Sequence, residues 1–518
     1  MKSIRELILF DYAQRDKAQN LVSQFVLYCE IAYFKISKIL MNDYILTIWL
    51  EIHLKLKSEN KLFCQCKNQQ DFENTKPNTN ICPVCTWQPG ALPTLSQEAL
   101  YKGLILGKAL NCSINKESSF DRKSYFYPDL PMWYQITQLY HPININWKVN
   151  FYIDNYRQEK TIYILDAHLE SDTAKMIHEN KKSILDFNRA WTPLIEVVTW
   201  PDFCSSDEVI EFLKELQRIV RFNSISDADM EKWQMRVDVN ISIRKENQEK
   251  LWTRVEIKNI NSFWSIKRAI ENEFIRQKEL YESNQTFSQQ TRRRDDQNNC
   301  SHLMRSKEEA LDYRYFPEPD LPPLILSDEL LENINNTSLE IPYNFIKKAI
   351  EEYWFNKEFI NALITDKETL DYFLSIENID PKIKAKRICG PIAAWTKENY
   401  KTITQLPFSK ENLIEFLTKS QEGKLIENQL KDVLEEMLST SKSCNEIIKE
   451  KWFDSPWLNE NELENIIKSV LTENPTIVEQ YKWWKTTTLW FFVGQVMKKT
   501  WWKTNPKTAG ELIQKLLW

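Results

Sequence analysis

The chain has 518 residues, of which 42% are hydrophobic and 27% charged, with a formal net charge of -5. This is a globular composition long enough for about two to four domains; it excludes a disordered or collagen-like chain, and it requires any contact with a polyanion to come from a local patch. Average usage of roughly 7% glycine predicts about 36 glycines in such a chain, yet it has 7 Gly and 19 Trp.

The most apolar early stretch, Leu21 to Leu40, is interrupted by Glu30, Lys35 and Lys38 and followed by Met41, so it is neither a signal peptide nor a membrane span. Residues 1–41 read as an extension ahead of a start at Met41, with an amphipathic helix as the alternative. From Tyr44 to Lys57 the sequence alternates: Ile48, Leu50, Ile52, Leu54 and Leu56 face one way, while Trp49, Glu51, His53 and Lys55 face the other. Cys64-Gln65-Cys66 and Cys82-Pro83-Val84-Cys85 follow, a spacing that closes four thiolates around a structural zinc ion. Ten cysteines used this way indicate cytosolic thiols rather than a disulfide scaffold. Cys29, Cys112, Cys204, Cys300, Cys389 and Cys444 read as ordinary buried thiols.

Further strands are predicted over Ile162–Glu170, with Tyr163, Leu165, Ala167 and Leu169 on the apolar side and Asp166, His168 and Glu170 opposite; over Met235–Arg244; and over Thr253–Lys258, which presents Arg254, Glu256 and Lys258 together. One apolar and one polar face per strand is the pattern of an antiparallel sheet covered on one side. Helices are predicted over Ser205–Phe222, opened by a Ser205/Glu208 capping box, and over Ile266–Glu282. The Pro-rich run Phe316–Pro323 reads as the best domain boundary, because after it the texture changes to 3.6-residue periods, as in Ser409–Thr418 and Glu427–Leu438. The expected fold is α+β: a cradle domain with an antiparallel sheet and a four-cysteine zinc site over 42–330, an all-helical domain over 331–410, and a small helical tail domain over 411–518.

Glu51, His53, His168, Glu170 and Glu196 could converge on a divalent cation of the kind phosphoryl transfer uses; solvated surface groups are the alternative. There is no Walker loop, Rossmann fingerprint or Gly-x-Ser-x-Gly elbow. From Tyr481 to Trp518 seven lysines face one acid, Glu511, so the tail could touch phosphate.

Several stretches together resemble one family, the B subunit of the tRNA-dependent aspartyl/glutamyl-tRNA amidotransferase. They are Leu50-Glu51-Ile52-His53-Leu54, the Cys64–Cys85 pattern, Asp121 to Pro131, Asp186-Phe187-Asn188-Arg189 leading to Pro193-Leu194-Ile195-Glu196, Thr253 to Phe263, Met304-Arg305-Ser306-Lys307, Asp312 to Pro323, and Val493-Gly494-Gln495-Val496-Met497. The resemblance implies a cytoplasmic ligase subunit that works with A (glutaminase) and C subunits on mischarged tRNA. ATP would phosphorylate the side-chain carboxylate of Glu-tRNA(Gln) or Asp-tRNA(Asn), and ammonia from the A subunit would displace the phosphate. It implies catalytic roles for Glu51, His53, Glu170 and Glu196, with His53 and Glu196 as Mg²⁺ ligands. It also implies ATP contacts at Lys123, Tyr125, Arg254 and Lys258, and tRNA contacts at Lys498, Lys499 and Lys503.

Two departures stand out. Where the family carries two adjacent acids after His-Leu, this chain has His168-Leu169-Glu170-Ser171-Asp172. Ser171 thus stands for one carboxylate, taken as the metal ligand, so that either Glu170 or Asp172 compensates or metal affinity is reduced; the alternative function is a catalytically impaired tRNA-binding scaffold. Secondly, Trp49, Trp87, Trp133, Trp191, Trp233, Trp252, Trp354, Trp452, Trp484, Trp490 and Trp502 stand where the family pattern carries glycine, as if UGA codons for glycine had been rendered as tryptophan.

Overall fold

A computed structural model describes residues 44–517, apart from 70–74, 180, 247, 249–251, 307–312, 452, 454–459, 483–487, 501–503 and 505. The predicted extension, Lys503, Trp452, Trp484 and Trp502 lie outside the described residues. The chain divides into two compact units, one up to Lys348 and one from Ala349.

The first unit is built on a nine-stranded sheet, numbered here in chain order: β1 (Tyr44–Lys55), β2 (Ser113–Ile114), β3 (Asn144–Ile153), β4 (Gln158–Ser171), β5 (Pro193–Thr199), β6 (Met235–Lys245), β7 (Val255–Ile260), β8 (Gln290–Asp295) and β9 (Cys300–Ser306). Their order across the sheet is β9-β8-β7-β6-β1-β5-β4-β3-β2. Every pairing is antiparallel except β7 with β8. One face is apolar because the alternation buries Ile48, Leu50, Ile52 and Leu54 of β1 with Val237, Val239 and Ile241 of β6 and Ile195 and Val197 of β5. Helices α1 (Gln97–Ala109), α2 (Ser206–Phe222) and α3 (Phe263–Glu282) cover it. Each begins where a serine hydroxyl accepts an otherwise unpaired N–H: Ser96 from Ala99, Ser205 from Glu208 and Ser262 from Ser265.

The predicted phase of β4 is correct at its C-terminal end and reversed at its start. Ala167 and Leu169 are buried as expected, but Ile162 and Ile164 are buried while Tyr163 and Leu165 are exposed. The cause is a bulge. Val198 pairs with Asp166 and the next residue, Thr199, pairs with Ile164, so Leu165 is an extra residue that swaps the faces.

The Pro-rich run is not a boundary between units. It is built into the first, where Arg122 donates from Nε and Nη2 to Glu318 at 2.8 Å and Leu321, Leu326 and Ile334 join the core. Helix α4 (Asp328–Asn336) is held by Lys108, whose Nζ donates to the carbonyls of Ile334, Asn335 and Thr337. In the second unit the described residues form helices and no strands. The predicted periodic stretch Ser409–Thr418 falls in helix Lys410–Gln421, which Ser409 caps. Glu460–Glu473, Leu489–Lys499 and Pro506–Leu517 share a core of Leu463, Ile467, Phe492, Val496 and Ile513. Among the described residues no helix is long and apolar enough to cross a membrane.

Trp87, Trp133, Trp191, Trp233 and Trp354 have φ of 52°, 62°, 63°, 57° and 51°, the left-handed region where a Cβ is penalised and glycine is at home. They are the only described tryptophans there, and all five belong to the eleven that replace glycine in the resemblance. Trp87, Trp133 and Trp233 each donate their N–H to the carbonyl three residues back, of Val84, Leu130 and Met230, as tight turns do.

Candidate active site

The face of the sheet opposite the helices carries the polar residues of the alternation, and strand register brings them together. One row across four strands reads Arg236, His53, Glu196, His168; the next places Asp238 opposite Glu51. His53 Nε2 lies 3.6 Å from Glu170 Oε1 and 3.4 Å from Glu196 Oε2. His168 Nε2 is 3.2 Å from the same Glu196 oxygen, while its Nδ1 is 2.7 Å from Asp166 Oδ1. His168 therefore orients Glu196 from behind.

Glu170 sits at the cluster, buried, with Lys123 Nζ at 3.2 Å and Gln135 Nε2 donating to it at 2.9 Å. Asp172 is held elsewhere, by Arg236 at 3.2 Å and Arg189 at 3.7 Å. Ser171 is a structural residue whose hydroxyl accepts the Ile136 N–H. Of the three residues Glu170, Ser171 and Asp172, it is Glu170 that stands with His53 and Glu196; the hydrogen bond from Ile136 and the pairing of Ser171 with Pro193 place Ser171 beside rather than on the row.

A second cluster, not foreseen in the sequence, joins Glu51 to Asp238 and Glu256. Lys258 Nζ reaches Asp238 at 2.5 Å and Glu256 at 2.8 Å, and Asn240 Nδ2 donates to Glu51 at 3.1 Å. All of these residues are visible on alternating polar faces; what the sequence lacks is the register that pairs β1 with β6 and β6 with β7.

The electrostatics suit cations. Burial opposes charge on Glu196 and Glu170, yet His53 and His168 hold Glu196 well below the usual carboxylate range, and Lys123 and His53 hold Glu170 at about 2. Burial, with Glu196 and Glu256 nearby, pushes Glu51 up, the signature of carboxylates crowded without enough positive charge. Each cluster gathers three donors within 4.8 Å: two carboxylates and an imidazole in one, three carboxylates in the other, both sets that suit Mg²⁺ or Mn²⁺. The buried Asn240 Oδ1, which accepts no hydrogen bond, adds a spare oxygen beside Glu51.

On His53 the pull of Glu196 and Glu170 outweighs burial and raises its pKa to about 9. A cation needs the ring neutral, so binding releases a proton below that pH. Divalent-cation affinity at His53, Glu170 and Glu196 is therefore expected to rise about tenfold per pH unit up to about 9. Calorimetric titrations in buffers of different ionisation enthalpy measure this, and an affinity flat with pH would contradict it.

The remaining expected contacts fall around these clusters. Lys123 and Lys258 are ion-paired into them, Tyr125 donates to Gln135, which donates to Glu170, and the Arg254 guanidinium stands 5.7 Å from the Trp49 ring. Lys498 and Lys499 end their helix exposed, with Lys499 paired to Glu473. Cys64, Cys66, Cys82 and Cys85 come together as the spacing predicts, with Cys82 and Cys85 sulfurs 3.8 Å apart, the edge of a tetrahedral thiolate site and a place for a metal such as zinc. The fully buried Lys61, unforeseen in the sequence, donates to Cys85 Sγ at 3.7 Å. A hydrogen bond from Cys64 and the charge of Lys61 bring Cys85 down to about 5 against burial. Of the other thiols, Cys444 is buried as expected, whereas Cys204 is exposed and Cys112, Cys300 and Cys389 are half-buried, against the expectation for these four; Cys29 lies outside the described residues.

A sheet that gathers two clusters of possible metal-ligating side chains on its polar face, together with a four-thiol cluster and a following helical unit, makes an α+β cradle. Residues 46–332 match the GatB/GatE catalytic domain and residues 371–517 the GatB domain. The B subunit of the aspartyl/glutamyl-tRNA(Asn/Gln) amidotransferase from Thermoanaerobacter pseudethanolicus is 38% identical over 473 residues, 91% of this chain and 98% of that protein. Its counterparts from Clostridium kluyveri and Persephonella marina are each 39% identical, over 90% and 91% of this chain and 98% of each relative. The chain belongs to this family, the B subunits of the aspartyl/glutamyl-tRNA(Asn/Gln) amidotransferases.

Proposed function

We propose that this chain activates the side-chain carboxylate of Glu-tRNA(Gln) or Asp-tRNA(Asn) with ATP and amidates it with ammonia supplied by an A subunit, in a cytoplasmic complex that includes a C subunit. The observation that carries the reading is the pair of cation clusters two residues apart on β1, at Glu51 and His53. A free carboxylate is a poor acyl donor. Bound Mg²⁺ and ATP supply the phosphoryl group and offset its charge. His53, Glu170 and Glu196 would hold one cation and Glu51, Asp238 and Glu256 another. His168 fixes Glu196, and Lys123 and Lys258 supply positive charge where phosphate oxygens approach. The scaffold reading rested on Ser171 and loses its ground with Glu170 at the cluster. The four cysteines would hold a structural zinc ion. The test is ATP- and glutamine-dependent conversion of Glu-tRNA(Gln) to Gln-tRNA(Gln) by the chain assembled with its partner subunits; bound tRNA without conversion would restore the scaffold.

The lysine-rich tail would meet tRNA phosphate. Replacing Lys498 and Lys503 by Ala is expected to reduce the slope of log affinity against log salt by about 0.7 to 0.9 for each phosphate no longer neutralised. Lys499, already paired with Glu473, is expected to contribute least. An unchanged slope in a binding titration removes this role. We also infer that the five left-handed tryptophans occupy glycine positions of the natural protein.

A further inference from the structure

The hairpin of β8 and β9 at the sheet edge carries a third mixed cluster, remote in sequence from both cation clusters. Asp295 pairs directly with Cys300 across the turn, and His302 lies two residues on, along the same face of β9. His302 Nε2 is 3.2 Å from Asp295 Oδ2 and 3.5 Å from Cys300 Sγ. Both groups aim at one ring nitrogen, and a single N–H serves two acceptors poorly. A cation among the three uses all of them: bonds of about 2.0 to 2.3 Å to tetrahedral zinc put its donors about 3.3 to 3.8 Å apart, close to the spacing found.

The turn is braced before anything binds. Arg294 donates to Asp296 at 2.9 Å and to Asn299 at 2.6 Å, Ser265 of α3 donates to Asp296 at 2.7 Å, and Asn272 of α3 donates to the Asn299 carbonyl at 2.9 Å. Asn298 donates from its backbone and side chain to Asp295. One carboxylate, one thiolate and one neutral imidazole balance a 2+ charge.

We propose that Asp295, Cys300 and His302 form a surface zinc site, distinct from the four-cysteine cluster, with an open fourth position for water. The full-length chain, dialysed against zinc, is expected to hold one more zinc ion than its Cys300→Ser and Asp295→Asn variants. Cobalt in place of zinc is expected to add, in the difference between wild type and Cys300→Ser, the charge-transfer band of a single thiolate. Equal metal content in wild type and variants, or identical cobalt spectra, would overturn the site and leave these contacts as hydrogen bonds alone. Because the measurement is a difference between variants of this hairpin, it stands whether or not the four-cysteine cluster is filled.

Discussion

Replacing Trp133, Trp233 and Trp354 by glycine is expected to stabilise the protein and raise its soluble yield. At 62%, 52% and 74% exposure their rings bury little, whereas a left-handed backbone costs a side-chain-bearing residue about 1 to 2 kcal/mol. Glycine returns part of this through the greater freedom of the unfolded chain, leaving a net gain of about 1 kcal/mol per site. The three sites are far apart in the chain, so their gains are expected to add. Across all five positions the strain is about 5 to 10 kcal/mol, comparable with the whole stability of an ordinary domain. Trp191 is a different case. It is 3% exposed and packs edge-on against Phe63 and Trp87 at 5.6 and 5.7 Å, so its removal leaves a cavity costing about 3 to 5 kcal/mol that relaxed backbone only partly offsets. Thermal melts and soluble yields of the three single variants and the triple variant decide the matter; midpoints equal to or below that of the parent would count against glycine as the native residue.

Replacing Glu196 by Ala is expected to abolish ATP-dependent activation, with a loss of at least about a thousandfold, while tRNA affinity stays nearly unchanged. Glu196 sits between two imidazoles, His53 at 3.4 Å and His168 at 3.2 Å, so no neighbouring carboxylate takes its place. Removing one partner of a buried charge group costs about 3 to 5 kcal/mol, which a lower melting point would register. Glu196→Gln separates the roles: it keeps the shape and a hydrogen-bonding oxygen and removes the charge, so activation is expected to fail in a better-folded protein. Retained activation in either variant would sink the assignment of this cluster.

Local features of the sequence predict local structure well. The hydroxyl of Ser205 and the 3.6-residue period from Ser409 announce their helices, the cysteine spacing announces the thiol cluster, and the alternation in β1 places Glu51 and His53 on one face. What is illegible depends on which strands become neighbours. Asp238 and Glu256 are ordinary surface acids until β1, β6 and β7 lie side by side. The face swap at Leu165 arises in the pairing with β5 and leaves no mark in the alternating residues themselves. The Pro-rich run misleads because proline punctuates strands and turns within a unit as readily as it separates units, and here Arg122 binds Glu318 inside it.

Strand β1 lies at the centre of the sheet although it is the first of the described strands to be made. Its neighbours are β5 and β6, and both cation clusters hang on it. On the ribosome, β1 emerges about 190 residues before β6 is complete, which at about 5 to 20 residues per second is roughly 10 to 40 s of synthesis. Until β5 is made both edges of β1, and until β6 is made one of them, lack their final partners, an invitation to wrong pairing. The sheet thus closes from both sides onto the earliest of its described strands, and each cluster on that strand forms only when the neighbouring strands arrive.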